Sequence, residues 1–201
     1  MSMNIKAIVD GVVGVLACAS GTRSRQFING LFVCVMTILS AATCYGDLAY
    51  TNVALHKPVS AIGGFDPSSA ALASVNDGAF RGRNSDCCGG TVYWNGLEPT
   101  IYIELNGTFD IVGAIVQSDD NDAYILEYRD SISSEWKRFW DVPNYDNQGA
   151  GMQTRPNPEN DAQIQFLPVV RTDSVRFRAA NGDNTYSVSE IQVFAVADSD
   201  Y

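Results

Sequence analysis

Two adjacent cysteines, Cys87 and Cys88, offer the most reactive side chains in the sequence. Two glycines follow them, and the other three cysteines all precede residue 45. Adjacent cysteines cannot join distant parts of a fold, and they lack the usual spacing of zinc ligands. Because neighbouring thiols in an exported protein tend to oxidise, we expect a vicinal disulfide that stiffens its loop. Two free thiols, or thiols paired between molecules, are the alternative.

Three polar loops carry the planar side-chain groups that recognise sugar hydroxyls. The first follows Phe80, the second is "SDDND" at 118–122, and the third is "NGDNTYS" at 181–187. The candidate ligand-binding residues in these loops are Arg81, Arg83, Asn84, Asp120, Asp122 and Asn184. Since turns themselves need Asn, Asp and Gly, the alternative is that these residues only shape the loops.

The sequence shows no recognisable catalytic constellation. His56 is the only histidine and no G-x-S-x-G motif accompanies it, so a Ser–His triad has no support. A glycosidase needs two positioned carboxylates, and no pair among the many acidic residues is singled out. We therefore expect a protein that is not an enzyme.

The charge excludes two classes of partner. The chain has 23 acidic and 13 basic residues, which gives a net charge of −10 at pH 7. An acidic body repels phosphate backbones, which excludes nucleic acid. The loops are polar and acidic as well, which argues against binding to anionic membranes. Sugars and cations are the ligands that suit such a surface.

The N-terminal residues 1–46 have the composition of a leader. "GLFVCVMTILSAAT" at 30–43 carries no charge, follows Arg23 and Arg25, and ends in small residues, as a secretory signal does. The run is short for a membrane span of ~20 residues. We expect a cleaved signal and a protein that is secreted or on the cell surface. An uncleaved anchor helix, which would be the only attachment to the membrane, is the alternative.

Residues 47–201 read as one all-β domain that positions these loops. "TIYIEL" alternates, with Ile101, Ile103 and Leu105 on one face. "EWKRFW" places Trp136 and Trp140 on one face by the same rule, as core residues. Some eight such runs, separated by short turns, predict an antiparallel sandwich or jelly roll whose function lies on its loops.

The order of these signals resembles the discoidin, or coagulation factor 5/8 type C, domain family, which has a galactose-binding-like fold. The similar segments span 51–196. They are "TNVALHKPVSA", "ASVNDG" with the later Trp94, "TIYIELNGTFDIVGAIV", "YILEYRDSISSEWKRF" and "SVRFRAANGDNTYSVSEIQVF". The resemblance implies an eight-stranded jelly roll that binds ligands at one end and has no catalytic activity.

The resemblance also implies a structural calcium ion. Its ligands would be the carboxylates of Asp77 and Glu190 and the carbonyls of Ser74 and Ser189, oxygen donors of the kind that Ca²⁺ prefers. Ala79 lacks the side-chain oxygen that many relatives have at that position. The alternative is that Asp77 merely caps a turn and Glu190 points to solvent.

Tyr186 stands where sugar-binding relatives place an aromatic platform, and a core-capping role is its alternative. Together these features predict a secreted or cell-surface domain that binds a glycan without catalysis, with calcium in support. The alternative function is an adhesive or structural surface protein whose partner is another protein.

Overall fold

The computed structural model describes residues 49–145 and 151–197. Within them lie nine antiparallel strands and one 3-10 helix, Leu72–Asn76, so the predicted all-β class is confirmed and the strand number is nine instead of eight. The strands are β1 Tyr50–Asn52, β2 Val59–Ile62, β3 Val92–Asn95, β4 Thr100–Asp119, β5 Ala123–Arg129, β6 Trp136–Val142, β7 Met152–Arg155, β8 Gln165–Asn181 and β9 Thr185–Val196. The predicted leader, 1–46, lies outside the described residues. No helix in the described part of the chain has the length and apolarity of a membrane span.

Two long strands, β4 and β8, run through both sheets of a sandwich. The first part of β4 pairs with β2 and β8, whereas its later part pairs with β9, with the start of β8 and with β7. Register shifts in the β4–β8 ladder lie between Glu104 and Phe109 and between Ile111 and Gly113. Such irregularities let a strand bend from one sheet to the other.

One of these shifts replaces a predicted turn. The sequence "NGTFD" after Leu105 predicts a chain reversal, but the strand continues through it, and Asn106 takes a φ of +57° within β4. Likewise "AQIQFLPV" and "DSVRFRAA" belong to one strand, β8. The short strand β7 lies in a segment that the sequence analysis does not identify as a strand.

The core lies between the sheets and confirms the alternation read in "TIYIEL". Ile101, Ile103 and Leu105 are all fully buried. Burial of each such side chain contributes about 1.5–3 kcal/mol to folding. Aromatic rings complete the core beneath the loops, where the ring of Tyr124 stacks on Phe177 with centroids 5.0 Å apart.

The interpretation of Trp136 as a core residue is wrong. Its ring lies on the outer face, where the guanidinium of Arg176 sits 4.7 Å from the ring centroid. Trp140 is buried as expected. The cause is a bulge: Leu126 pairs with Trp140, but Glu127 pairs with Arg138, so Phe139 is an extra residue that reverses the alternation.

The first and last strands are neighbours. Tyr50 pairs with Val196, and the amide of Ala197 donates to the carbonyl of Ala49 over 2.8 Å. The strand β9 begins at the turn 181–185. Ala49 and Ala197 therefore both lie at the other end of β9, far from that turn.

Candidate functional site

A buried arginine ties together the loops at one end of the sandwich. Arg155, in β7, is 2% exposed, and its guanidinium donates to five backbone carbonyl oxygens. The acceptors and their N···O distances are Asp119 2.5 Å, Ser118 2.6 Å, Gln153 2.9 Å, Pro143 3.1 Å and Asp122 3.3 Å. These carbonyls belong to the end of β4, the turn after it, the segment after β6, and β7. One side chain therefore positions several loop segments.

The acids of "SDDND" lie inside this end, not on its surface. Asp120 and Asp122, predicted as ligand-binding residues, are both buried. The carboxylate of Asp122 accepts the amide of Asp183 at 3.2 Å and the hydroxyl of Tyr124 at 3.2 Å. Asp119 accepts the amides of Gly151 at 3.0 Å and Asp120 at 2.9 Å. The prediction for Asp120 and Asp122 is therefore corrected, because both residues are buried and the Asp122 carboxylate points inward, where it holds the turn at Asp183.

Burial raises the pKa of two of these carboxyl groups, those of Asp119 and Asp122. Loss of hydration, reinforced by the charges of neighbouring aspartates, raises the pKa of Asp119 to about 6 and that of Asp122 to about 7. The same loss of hydration lowers the pKa of Arg155. The loops at this end of the sandwich thus enclose several buried aspartates and one buried cation, Arg155.

These pKa values predict a protein that is more stable in mild acid. An unfolded aspartate loses its proton near pH ~3.9, whereas Asp119 and Asp122 keep theirs to higher pH when folded. Between these values the folded state binds more protons, so the free energy of unfolding falls as the pH rises. In chelator, these two shifts predict a free energy of unfolding about 4 kcal/mol higher at pH 5 than at pH 8, since the two pKa values lie about one and two units above pH 5 and one unit is worth ~1.4 kcal/mol.

Denaturant unfolding at the two pH values measures this difference. Asp122→Asn should reduce the difference, because it removes one of the carboxyls with a raised pKa, and exposed Glu98→Gln should leave it unchanged. Equal or greater stability of the wild type at pH 8 would contradict the assignment.

A polar cleft opens directly above the buried acids. We call it the amide cleft; its volume is about 380 Å³, and it is lined by Asn121, Ala123, Asn144, Asn181, Gly182 and Asp183. The Asn121 amide nitrogen donates to the Asp183 carboxylate at 3.0 Å. Tyr145, which follows Asn144, is 54% exposed, and its amide donates to the Asp120 carbonyl at 2.7 Å. The cleft therefore combines side-chain amides with a carboxylate, and an exposed tyrosine directly follows one of its lining residues in the chain.

The sequence analysis identifies two of the loops of this cleft but not the residues that line it. Asn121 lies between Asp120 and Asp122, and Asn181 and Asp183 precede Asn184. Side chains on an extended chain alternate between faces, so an error of one position exchanges inside for outside. Asn144 and Tyr145 belong to a loop that the analysis did not select. An aromatic residue within the polar run "NYDNQ" is the signal that could have found it.

Tyr186 does not lie at the surface as predicted, and Asn184 lies in an exposed turn. Tyr186 is 3% exposed and packs against Trp94 and Tyr124, each with ring centroids 6.1 Å away. Its ring therefore has no face open to a sugar, and the platform interpretation is corrected to a core role. Asn184 is exposed, with a φ of +81°, and its carbonyl accepts the amide of Gly96 at 3.2 Å, which makes it a turn residue.

The first loop is anchored away from the amide cleft. The guanidinium of Arg83 pairs with Glu159 at 2.5 Å. The Asn84 amide donates to the Met152 carbonyl at 3.0 Å, and its side chain accepts a bond from Gln153. Arg81 lines a different cleft. The seven predicted ligand-binding residues therefore do not converge on one site.

The predicted calcium ligands, by contrast, converge. Ser74, Asp77 and Ser189 share a second cleft of about 280 Å³ with Ala79, Phe80, Arg81 and Gly90. We call it the carboxylate cleft. Glu190, the residue after Ser189, accepts the Gly78 amide at 3.2 Å, directly after Asp77. The four residues that the resemblance implies thus come from the 3-10 helix, from the turn after it and from β9.

The chemistry of the carboxylate cleft suits a cation. Glu190 is fully buried, so the interpretation in which it points to solvent is wrong. Burial and the charge of Asp77 raise the pKa of Glu190 to about 7. The buried hydroxyl oxygen of Ser74 has no hydrogen-bond partner within the described part of the chain. Two carboxylates beside an unused oxygen match the donors that Ca²⁺ prefers, and a cation would favour their ionised forms.

Comparison with known proteins identifies the fold. No protein-family model matches the sequence, and no curated protein matches it. A solved chain of truncated AlyQ, with family 32 carbohydrate-binding module and alginate lyase domains, is similar with a TM-score of 0.50 and 9% identity over 74% of this chain and 34% of that one.

Two modules from Clostridium perfringens are also similar. The family 32 module of NanJ, in complex with galactose, has a TM-score of 0.49 at 10% identity and covers 73% of this chain and 99% of that one. The module CpGH89CBM32-5, in complex with GalNAc-β-1,3-galactose, has a TM-score of 0.49 at 15% identity and covers 73% and 100%. At such identities the likeness is one of fold. It confirms the galactose-binding-like, discoidin-type fold that the sequence resemblance implies.

Proposed function

Because the described body has the fold of family 32 carbohydrate-binding modules, we propose that it is a non-catalytic domain that binds carbohydrate in the amide cleft. The observation that carries this proposal is the lining of the cleft, in which Asn121, Asn144, Asn181 and Asp183 surround one opening. An amide both donates and accepts, as a sugar hydroxyl does, and a carboxylate accepts strongly. The volume of about 380 Å³ falls at the small end of ligand pockets, as a mono- or disaccharide requires.

Two details of the cleft support a sugar in particular. The side-chain oxygen of Asn121 is buried and has no hydrogen-bond partner among the residues that the structure describes, so it can accept a hydroxyl. Tyr145, the residue after Asn144, offers an exposed ring, and sugars present C–H groups that pack on aromatic faces. This residue takes the platform role that the sequence analysis gave to Tyr186.

The electrostatics narrow the class of sugar. Asp183 lines the cleft, Asp119, Asp120 and Asp122 lie nearby, and the chain carries a net charge of −10. Sulfated or carboxylated glycans would be repelled by this field. We therefore assign neutral or amino sugars to the cleft.

Substitutions around the cleft test the proposal. Asp183→Asn should weaken binding of an array-identified glycan about tenfold or more, since a hydrogen bond to a charged group is worth about 1.5–3 kcal/mol. Tyr145→Ala should weaken it about three- to tenfold, because it removes the stacking ring. Calorimetry on folded variants measures both effects.

Tyr50→Ala is the matched control, since Tyr50 is also exposed but lies at the other end of β9 from the 181–185 turn. Its affinity should equal that of the wild type. Silence on a glycan array with calcium present, or wild-type affinity in both cleft variants, would overturn the proposal.

The same proposal includes calcium in the carboxylate cleft. Asp77 and Glu190 would hold the ion with their carboxylates, and Ser74 and Ser189 with their carbonyls. The ion would supply the positive charge that two neighbouring carboxylates lack. It would also join the turn after the 3-10 helix to β9. The fully buried Glu190 carboxylate and the unpartnered Ser74 hydroxyl support this part of the proposal.

A protein partner is the second candidate, and one observation favours it. Tyr50, Phe166 and Val196 are exposed together on the outside of the sandwich, where the rings of Tyr50 and Phe166 lie 5.1 Å apart. Apolar surface of this kind can contact another protein. A silent glycan array would favour this candidate.

Export through the 1–46 leader also belongs to the proposal, and N-terminal sequencing of protein recovered outside the cell tests it.

A further inference from the structure

The loop between Arg81 and β3 holds two thiols against each other. The Sγ atoms of Cys87 and Cys88 lie 2.9 Å apart, and both cysteines are unpaired. The Cys88 amide donates to the Asp86 carboxylate at 3.0 Å, and the Thr91 hydroxyl donates to the Cys87 carbonyl. Side chains of neighbouring residues in an extended chain point to opposite faces, so this juxtaposition is a property of the loop.

Hydrogen bonds restrain the backbone of the loop on both sides of the two cysteines. The Asn84 amide donates to the Met152 carbonyl, and the Met152 amide donates to the Ser85 carbonyl, each over 3.0 Å. On the other side the Arg81 guanidinium donates to the Gly90 carbonyl. Gly90 has a φ of +74°, which lets the chain turn directly after the cysteines. The loop is therefore anchored on both sides of the two cysteines.

We propose that Cys87 and Cys88 are a reversible redox pair that closes a disulfide between neighbouring residues. A low-molecular-weight disulfide serves as the oxidant. The Cys88 thiolate attacks one of its sulfurs, that S–S bond breaks, and the first small thiol leaves. The Cys87 thiolate then attacks Sγ of Cys88 and displaces the second small thiol. The two protons lost by the cysteines end on the two released thiols, so the exchange balances.

The order of attack follows from exposure. Cys87 is 7% exposed, whereas Cys88 is half-buried and can be reached from solvent. Burial also raises the pKa of the Cys87 thiol, with help from the charges of Asp119 and Asp86. Cys88 is thus the nucleophile that meets the oxidant, and Cys87 resolves the mixed disulfide. The buried position of Cys87 also disfavours a disulfide to a second molecule.

The number of ligand atoms favours a disulfide over a bound metal. Asp86 and the two sulfurs offer three ligand atoms within 4.8 Å of one another. A thiophilic ion such as zinc takes four ligands in a structural site, and no fourth His, Cys, Asp or Glu joins this group in the described part of the chain. A disulfide needs only the two sulfurs.

The bond should be easy to reduce. Neighbouring Cα atoms are about 3.8 Å apart, below the roughly 4.4–6.8 Å that disulfides usually span. The resulting strain raises the reduction potential. We therefore expect the pair to open and close in thiol–disulfide buffers that leave structural disulfides intact.

A tryptic map of the full chain tests the proposal. Cleavage after Arg83 and Arg129 yields peptide 84–129, which contains Cys87 and Cys88 and none of the other cysteines. After incubation of the folded protein in an oxidised thiol–disulfide buffer, this peptide should be lighter by two hydrogens and accept no alkylating agent. After mild reduction it should accept two. The Cys87→Ser variant should instead gain one small thiol on Cys88 as a mixed disulfide, whereas Cys88→Ser, which leaves only the buried Cys87, should gain it much more slowly.

Three outcomes would overturn the redox pair. The first is that both thiols alkylate after oxidation. The second is that the peptide is recovered joined to a second chain. The third is that zinc or copper(I) salts protect both thiols while oxidised buffer does not, which would assign a metal site. Circular dichroism confirms that each variant is folded before labelling.

Discussion

Replacement of Arg155 by methionine is expected to lower the free energy of unfolding by about 3–5 kcal/mol, the cost of breaking a buried charged network. Five backbone carbonyls would lose their donor, and each buried polar group left without a partner costs about 1–3 kcal/mol. Water entering the space would recover part of that loss. Chemical denaturation measures the change.

The same substitution is expected to abolish ligand binding at temperatures where the variant is still folded. The carbonyls of Asp122 and Pro143, which Arg155 holds, belong to residues next to Ala123 and Asn144 of the amide cleft. Loss of the guanidinium frees these loops to separate. Arg155→Lys should fail as well, because an ammonium group cannot reach carbonyls spread over several segments.

Arg138→Met is the matched control for this prediction. Arg138 is an exposed arginine whose side chain pairs with Asp141 at 3.0 Å, and its loss should change stability by less than about 0.5 kcal/mol. If Arg155→Met also stayed within about 1 kcal/mol of the wild type, the guanidinium would not be what holds the loops.

Calcium is expected to raise the melting temperature of the chelator-treated protein by about 5–10 °C. A ligand at a hundredfold excess over its Kd stabilises the folded state by ~2.7 kcal/mol. For a domain of this size each kcal/mol shifts the midpoint by about 2–4 °C. The effect should weaken as the pH falls below 7, because the proton on Glu190, whose pKa is raised to about 7, competes with the ion.

Glu190→Gln separates a calcium ligand from a merely structural residue. Without calcium the variant should be as stable as the wild type or more stable at pH 8, because it no longer buries a charge. With calcium its melting temperature should not move, whereas that of Glu98→Gln should rise as the wild type does. Calorimetry that shows no heat for the wild type, with no shift in its melting temperature, would reject the site.

The fold could be predicted because its signals are local and repeated. Strict alternation at Ile101, Ile103 and Leu105 follows from the pleat, and one face of each sheet must be buried. The path of the long strands could not be predicted in the same way. Asn106 and Gly107 form a good turn by composition, yet pairing with β8 on both sides of them keeps the strand continuous. Strand partners that are distant in sequence therefore decide whether this segment turns or continues as a strand.

In the candidate site, too, the sequence predicts some residues and not others, because it does not show which way each side chain points. The carboxylate cleft could be predicted, because the resemblance carries Asp77 and Glu190 as positions with defined roles. The amide cleft required knowing which way each loop side chain points. Burial of Asp122 depends on the amide of Asp183 and the hydroxyl of Tyr124, contacts that composition cannot reveal. Polar residues alone therefore identified the loops and not the side chains that line the cleft.

The pairing of β1 with β9 places residues 49 and 197 away from the amide cleft. Residues 49 and 197 lie side by side at the far end of β9 from the 181–185 turn. That strand has 12 residues and spans about 40 Å at the usual rise per residue. A fusion partner or a solid support joined at either residue would therefore leave the opening of the amide cleft unobstructed. Copies immobilised in this way would face a shared polysaccharide together, and their weak individual contacts would add up to avidity.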